Sequence, residues 1–267
     1  MQESALAAPD ETFYRSLETA RARVLMLDYD GTLAPFREVR TEAVPYAGVR
    51  EALLSILQGG GTKVVVVSGR ALSDLVPLLG IVPLPEIWAA HGWERRTQDG
   101  REELFPLSEA ARGGLADAIG AAQRAGLETH CEVKPASVAL HWRGLSPVEA
   151  EAARGKGAAL WGAIAAASGL YLVDFDGGME LRVLGRDKGT AVRAILAESP
   201  PGAVAAYLGD DVTDEDAFRA LPPNGLGVLV RAQSRLVGTT AARTWLRPPG
   251  ELLAFLHRWA ALTGAGP

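Results

Sequence analysis

Four apolar runs along the chain end abruptly in polar clusters. Val24-Leu25-Met26-Leu27 stops at Asp28 and Val64 to Val67 at Ser68-Gly69-Arg70, while Ile87-Trp88-Ala89-Ala90 stops at His91-Gly92 and Val204 to Leu208 at Gly209-Asp210-Asp211. Uninterrupted apolar runs of this length predict parallel strands buried on both faces. Helical stretches lie between them, as in Val49 to Gln58 and Leu72 to Leu79. Strands alternating with helices predict a doubly wound α/β sheet, and such sheets bind ligands at the carboxyl ends of their strands, where the polar clusters stand.

The middle of the chain follows another rhythm. Pro106 to Ala125 and Pro147 to Ser168 are Ala-rich helical stretches, each followed by two strand-like segments: Glu128 to Val133 with Ser137 to Arg143, then Leu170 to Asp174 with Gly178 to Val183. This α-β-β pattern, made twice, predicts a small antiparallel sheet with helices on one face, inserted into the parallel domain. The expected division is a core of residues 1–104 and 185–267 and an inserted α/β domain of residues 105–184.

Composition narrows the chemistry. The chain has 267 residues, 48% hydrophobic and 22% charged, which suits a globular protein with a sizeable core. A formal net charge of −5 argues against nucleic acid or an anionic membrane surface as partner, so an anionic substrate would need local cations or a metal. The single cysteine, Cys131, rules out an internal disulfide framework and suits a reducing compartment; it is expected as a small packed strand residue. Met1 to Arg23 has no continuous apolar stretch of the signal-peptide kind, and no run approaches the ~20 residues that span a bilayer. The expectation is a soluble, cytoplasmic protein.

Asp28-Tyr29-Asp30-Gly31-Thr32-Leu33 is the most informative segment. Asp28, just past a buried strand, is a candidate nucleophile or metal ligand, and Asp30 a candidate general acid/base. Gly31 permits a sharp turn that brings backbone N–H groups toward phosphate oxygens. In Gly209 to Asp216, the pair Asp210 and Asp211 is expected on a strand-to-helix loop, with Thr213 and Asp216 as a capping box and Asp214 in the first turn. Carboxylates crowded near Asp28 repel one another unless a cation joins them, and hard oxygen donors suit Mg²⁺. Ser68 offers a hydroxyl beside backbone N–H groups, either to a phosphate or as a plain helix cap. Lys188, one of only four lysines among 27 basic residues, offers a compact ammonium for charge neutralisation.

These four segments, Asp28 to Leu33, Ser68-Gly69-Arg70, Lys188-Gly189 and Gly209 to Asp216, resemble in order the four motifs of haloacid-dehalogenase-like phosphatases. The resemblance runs from about Val24 to Leu256. The position of the insert is similar to the α/β cap of sugar-phosphate phosphatases in that superfamily. Ala90-His91-Gly92, Glu132-Val133-Lys134, His141-Trp142-Arg143 and Gly178 to Arg182 resemble segments of the trehalose-6-phosphate phosphatase family. Trp142, where an aromatic (more often Tyr) is expected, and Val183, where Pro is frequent, are mild departures.

The resemblance implies hydrolysis of trehalose 6-phosphate through an aspartyl phosphate on Asp28, with Asp30 as acid/base. It implies Mg²⁺ held by Asp28, the backbone carbonyl of Asp30 and Asp210, with Asp211 and Asp214 in or beside the coordination shell. Gly31, Thr32, Ser68, Gly69 and Lys188 would hold the phosphate. Arg70, His91, Glu132, Lys134, Arg143 and Glu180 would meet the substrate, and the cap would close over it. A functional link to a trehalose-phosphate synthase follows from the same resemblance. From the residues themselves, the polar cap positions equally fit a half-exposed sheet face laced by cross-strand ion pairs, with Trp142 in a core. A phosphatase of a glucosyl- or mannosyl-phosphoglycerate, a sugar phosphomutase, a phospho-accepting receiver-like module and a silent binding protein stand as rival readings. Asp30, two residues after Asp28, is a group that only a turnover enzyme needs.

Overall fold

The four apolar runs become members of one sheet, because each presents apolar side chains to both faces and leaves its backbone to be paired by neighbours. The computed structural model describes residues 9–175, 177–232 and 240–264; of the stretch read for a leader, residues 1–8 lie outside the described residues. The chain runs α1 (Glu11–Thr19), β1 (Arg23–Leu27), α2 (Val49–Gln58), β2 (Lys63–Val67), α3 (Leu72–Leu79), β3 (Glu86–Ala89), β4 (Glu94–Arg96) and β5 (Glu102–Leu104). It continues through α4 (Glu109–Arg124), β6 (Cys131–Lys134), β7 (Ser137–His141), α5 (Pro147–Ser168), β8 (Leu170–Phe175) and β9 (Gly178–Val183). The last elements are α6 (Lys188–Ala197), β10 (Val204–Gly209), α7 (Glu215–Ala220), β11 (Leu226–Val230), β12 (Thr244–Leu246) and α8 (Gly250–Thr263).

By its internal contacts the chain divides into two units, Met1–Glu103 with Asp187–Pro267, and Leu104–Arg186. In the first unit the strand order is β12-β11-β10-β1-β2-β3-β4-β5. It is parallel from β12 to β3, and β4 pairs antiparallel with β3. From β1 the chain moves outward through β2 and β3 on one side and returns on the other at β10. The strand order therefore reverses between β1 and β10, and the crevice outside their carboxyl ends is the place where such folds bind ligands.

Alternate residues of the central strands, among them Leu25, Leu27, Val66, Ala206, Leu208 and Val228, join the buried cluster with apolar side chains of α1, α2, α3 and α8. The opposite face takes residues of α6 and α7, where the Tyr207 ring meets Phe218 edge-on at 5.6 Å between centroids. Trp259 of α8 is fully buried and donates from its indole nitrogen to Thr62 Oγ1 at 3.0 Å, fixing the C-terminal helix to the turn before β2.

The second unit is the expected α-β-β pattern made twice: a four-stranded antiparallel sheet, order β6-β7-β9-β8, with α4 and α5 packed on it. Trp161 of α5 donates to the Ala118 carbonyl of α4 at 3.1 Å, tying the two helices. Val138, Leu140 and Leu181 are buried, while the strand positions alternating with them carry Glu132, Lys134, His141, Glu180 and Arg182. One face is thus apolar and the other charged, the pattern of an antiparallel sheet covered on one side.

Local differences from the sequence reading have local causes. Glu128–His130 is a 3-10 turn, not strand, closed by His130 N–H donating to the Leu127 carbonyl as the chain leaves α4. Helix α4 starts at Glu109 because Ser108 caps it, its Oγ accepting from Ala111 N–H at 3.2 Å. The hairpin β4–β5 carries no apolar signature and was invisible to periodicity. Cys131 opens β6 half-buried rather than packed away. Trp142 is half-buried beyond the end of β7. Among the described residues no helix is long and apolar enough to cross a membrane.

Candidate active site

Where β1 ends, Asp28 N–H still pairs with the Leu208 carbonyl of β10 at 2.8 Å, so the side chain is delivered by the sheet itself. The chain then turns: Leu33 and Ala34 N–H groups both donate to the Tyr29 carbonyl, and Gly31 N–H donates to the Ala34 carbonyl at 2.8 Å. Gly31 has φ +81°, and a Cβ there would lie 2.2 Å from Asp210 Oδ2. Only a residue without a side chain lets the two acidic loops approach this closely. Thr32 is buried and its Oγ1 donates to Asp28 Oδ2 at 3.3 Å.

Lys188 arrives on the first turn of α6. Asp187 caps that helix, accepting from Thr190 N–H at 2.6 Å while Thr190 Oγ1 accepts from Asp187 N–H. The Lys188 ammonium is 4% exposed and donates to Asp28 Oδ1 and to Asp214 Oδ1, both at 2.7 Å. Asp214 is wholly buried. Its Oδ1 also accepts from the Tyr207 hydroxyl at 2.5 Å, and its Oδ2 accepts from the N–H groups of Asp210 and Asp211 at 3.1 and 3.0 Å. A carboxylate offers about four lone pairs, so Asp214 is saturated and shapes the site as an acceptor. Asp210 differs: its Oδ1 is buried with no hydrogen-bond partner among the described residues.

One oxygen from each of Asp28, Asp210 and Asp214 can be chosen within 4.8 Å of the others. Three buried carboxylates face one ammonium, and the electrostatics show the imbalance. Burial, and after it the charge of Asp214, raises the Asp28 pKa to about 7 despite Lys188. Burial, then Asp28, raises that of Asp210 well above the usual carboxylate range. Burial would lower the Lys188 pKa, but Asp214 and Asp28 more than offset it, so the ammonium keeps its proton. The donor set fits a hard cation: oxygen-only, anionic in excess, and with an orphaned oxygen on Asp210, one of the three acids.

Beside this cluster, Ser68 follows β2 with its N–H paired to the Trp88 carbonyl at 2.8 Å. The segment after β3 wraps over it. His91 N–H donates to the Ser68 carbonyl and Ala90 N–H to the Arg70 carbonyl, with Ala90 and His91 both at positive φ. A Cβ on Gly69 would lie 2.5 Å from His91 Cε1, so the buried imidazole rests on the glycine backbone. Arg70, 4% exposed, sends its guanidinium to Asp30: Nε to Oδ2 at 2.7 Å and Nη2 to Oδ1 at 2.6 Å.

The structure thus joins Asp28, Thr32, Lys188, Asp210 and Asp214 in one connected cluster. Asp30 and Arg70 form a pair of their own, and Ser68, Gly69 and His91 form an adjoining loop. The expected capping box of Thr213 and Asp216 is corrected: Asp211 and Asp214 make it across a 3-10 turn, because Asp214 turns back onto the Asp211 backbone. Half-buried Asp211 is therefore a cap, outside the group of three acids. In the second unit, Glu180 is buried; its Oε1 accepts from Lys134 at 2.9 Å and Ser137 at 2.6 Å, and its Oε2 from Arg182. Glu132 Oε2 pairs with His141 Nε2 at 2.9 Å. Exposed Arg143 lies beyond β7, off this charged row. Sequence reasoning missed Tyr207, the one hydroxyl in an otherwise apolar strand; a buried Tyr needs a polar partner, and that was the available signal.

A family model described as trehalose-phosphatase matches residues 26–246. A trehalose-phosphate phosphatase of Mycobacterium marinum is 33% identical over 254 residues, covering 89% of this chain and 61% of its own. The chain spans about three fifths of the length of such curated relatives. The C-terminal domain of Candida albicans trehalose-6-phosphate phosphatase matches with TM-score 0.79 at 19% identity, over 97% of this chain and 99% of that one. The Aspergillus fumigatus trehalose-6-phosphate phosphatase structure matches with TM-score 0.67 at 25% identity, over 96% and 99%.

Replacing Tyr207 with Phe removes one donor to a buried carboxylate. The expected loss is about 1–3 kcal/mol of folding stability, read from urea denaturation; a change under about 0.5 kcal/mol would mean that the hydroxyl contributes nothing to holding Asp214.

Proposed function

The chain belongs to the trehalose-phosphatase family, and on that premise we propose that it is a Mg²⁺-dependent phosphatase that hydrolyses trehalose 6-phosphate through an aspartyl phosphate on Asp28. The observation that carries this reading is the buried Lys188 ammonium between Asp28 and Asp214, with an Asp210 oxygen that has no partner among the described residues beside them at the strand-order reversal. Asp28, the backbone carbonyl of Asp30 and Asp210 would hold the ion. When bound, it supplies positive charge that lets the carboxylates stay ionised together and screens the incoming phosphate.

In the first step a carboxylate oxygen of Asp28 forms a bond to phosphorus. The phosphorus–oxygen bond to the sugar breaks, its electron pair stays on the sugar oxygen, and that oxygen takes a proton from Asp30. In the second, Asp30 accepts a proton from water as the water oxygen bonds to phosphorus and the bond to Asp28 breaks, releasing inorganic phosphate. Lys188 spreads the charge that grows on the phosphoryl oxygens, and the Ser68 hydroxyl orients them. Lys188 also keeps Asp28 oriented and favours its anionic form, the form that attacks.

In the second unit, Glu132, Lys134 and Glu180 stand on the charged sheet face opposite the helices and supply donors and acceptors suited to sugar hydroxyls. Arg143, exposed beyond the end of β7, is assigned to the same role. His91 supports the Ser68 loop, and its part in substrate binding is indirect. A cytoplasmic location and a trehalose-phosphate synthase as source of the substrate complete the proposal.

Phosphate release across a panel of sugar phosphates, with and without Mg²⁺, tests it. Trehalose 6-phosphate is expected to be preferred, and Asp28→Asn to abolish turnover. Preference for a phosphoglycerate substrate, or substantial turnover by the variant, would overturn the substrate or the nucleophile respectively. Thermal unfolding tests the ion without relying on activity. Mg²⁺ at about 100 times its dissociation constant is expected to stabilise the wild type by about 2.7 kcal/mol. Asp210→Asn is expected to lose that response while its metal-free midpoint is no lower than that of the wild type, because a repulsive charge has gone. An undiminished Mg²⁺ response in the variant would exclude Asp210 as a ligand.

A further inference from the structure

The acid/base proposed above is the one carboxylate of its loop that solvent reaches: the Asp30 side chain is 28% exposed, against 4% for Asp28. A carboxylate at the mouth of a site can meet a leaving group, but an unheld Asp also swings through its rotamers. Asp30 is held. Arg70 grips both of its oxygens at 2.7 and 2.6 Å in a two-pronged pair, although the two residues lie 40 positions apart.

The grip is itself built from several directions. Arg70 Nη1 donates to the Arg40 carbonyl at 3.0 Å, and the guanidinium lies over the Tyr29 ring, 5.6 Å from its centroid. At the main chain, Arg70 N–H donates to Ser68 Oγ at 3.2 Å, and the Arg70 carbonyl accepts from Ala90 N–H at 2.6 Å. Each of the three guanidinium nitrogens therefore has an acceptor inside the protein. The sequence placed Arg70 on the substrate; the geometry places it on Asp30. A planar fork suits this task and a lysine would not, because only the fork fixes both the position and the plane of a carboxylate.

We infer that Arg70 is a positioning residue that aims the Asp30 carboxylate, leaving its solvent-facing edge to exchange a proton with the sugar oxygen and then with water. This rests on the aspartyl-phosphate reading. It assigns the Ser68-Gly69-Arg70 segment two tasks, the hydroxyl turned to phosphate and the guanidinium turned to the acid/base, and explains the wrapping by Ala90 and His91: the turn after β3 fixes the backbone from which both project.

The test uses the full chain and two substrates that differ in their need for a proton. Trehalose 6-phosphate expels a poor leaving group that must be protonated, whereas p-nitrophenyl phosphate expels a stable anion. Both require a base when water cleaves the intermediate. For Arg70→Ala, kcat on trehalose 6-phosphate is expected to fall about 10²-fold, the scale of a misaimed acid/base, with KM within about threefold. On p-nitrophenyl phosphate the same variant is expected to show a rapid burst approaching one nitrophenolate per enzyme, larger than that of the wild type, followed by slow turnover. Arg70→Lys, which keeps the charge and loses the fork, is expected to show the same pattern with a smaller fall; if Arg70→Ala does not fold, it decides alone. An equal loss on both substrates without an enlarged burst, an unchanged kcat, or a rise confined to KM would overturn the inference. A wild type that releases no phosphate from either substrate would overturn the phosphatase reading beneath it.

Discussion

The Lys188 ammonium lies 2.7 Å from one oxygen of Asp28 and one of Asp214, and all three groups are almost wholly removed from water. A buried charge is tolerated only when paired and hydrogen-bonded, and removing one partner of such a pair typically costs about 3–5 kcal/mol. Lys188 satisfies two carboxylates at once. Asp210 is left over: it is equally buried, feels the charge of Asp28, and has an oxygen with no hydrogen-bond partner among the described residues. The surplus of negative charge at this point is what the rest of the arrangement both creates and exploits.

Much of the fold can be understood as the means of bringing these groups together. Parallel pairing of β1 with β10 sets Leu27 beside Leu208, so Asp28 and Asp210 leave neighbouring strands almost level. Gly31 removes the Cβ that would collide with Asp210. Asp214, saturated by Lys188, Tyr207 and two backbone N–H groups, converts one acid of the cluster into a fixed acceptor. The loop after β10 and the first turn of α6 thereby become a single unit. The proposed chemistry at Asp28 depends on this rigidity, since a nucleophile and a charge-neutralising lysine act only when their separation is set in advance.

Much of this was legible in the chain. Apolar runs that stop at Asp, Ser or Gly-Asp betray buried parallel strands and the end at which the polar groups gather, because burial on both faces leaves no other place for them. The repeated α-β-β of the second unit was visible for the same reason, since an antiparallel sheet must alternate. What escaped was the partnering of polar groups. Asp211 and Asp214 are near-neighbours with the same side chain, yet one caps a turn half-exposed and the other is a buried hub; only the turn of the backbone distinguishes them. Arg70 reads as a substrate group until Asp30 is seen 40 residues away beyond the end of the neighbouring strand, and Tyr207 reads as core until its hydroxyl meets Asp214. Glu180 looked like a sugar ligand on an open strand, whereas burial and the grasp of Lys134, Ser137 and Arg182 make it first the keystone of the charged face. Long-range hydrogen bonds leave no periodicity, so their partners were not recoverable from spacing.

The central claim is that the unbalanced carboxylates are a cation site and that Asp28 and Asp210 are its side-chain ligands. Anomalous diffraction from crystals soaked in Mn²⁺, an oxygen-seeking ion that substitutes for Mg²⁺, tests it most directly. The account predicts a strong peak at direct-ligand distance from a carboxylate oxygen of each of Asp28 and Asp210, with Asp214 still bound to Lys188 and Tyr207. No peak at saturating Mn²⁺, or a peak only at other residues, would contradict it.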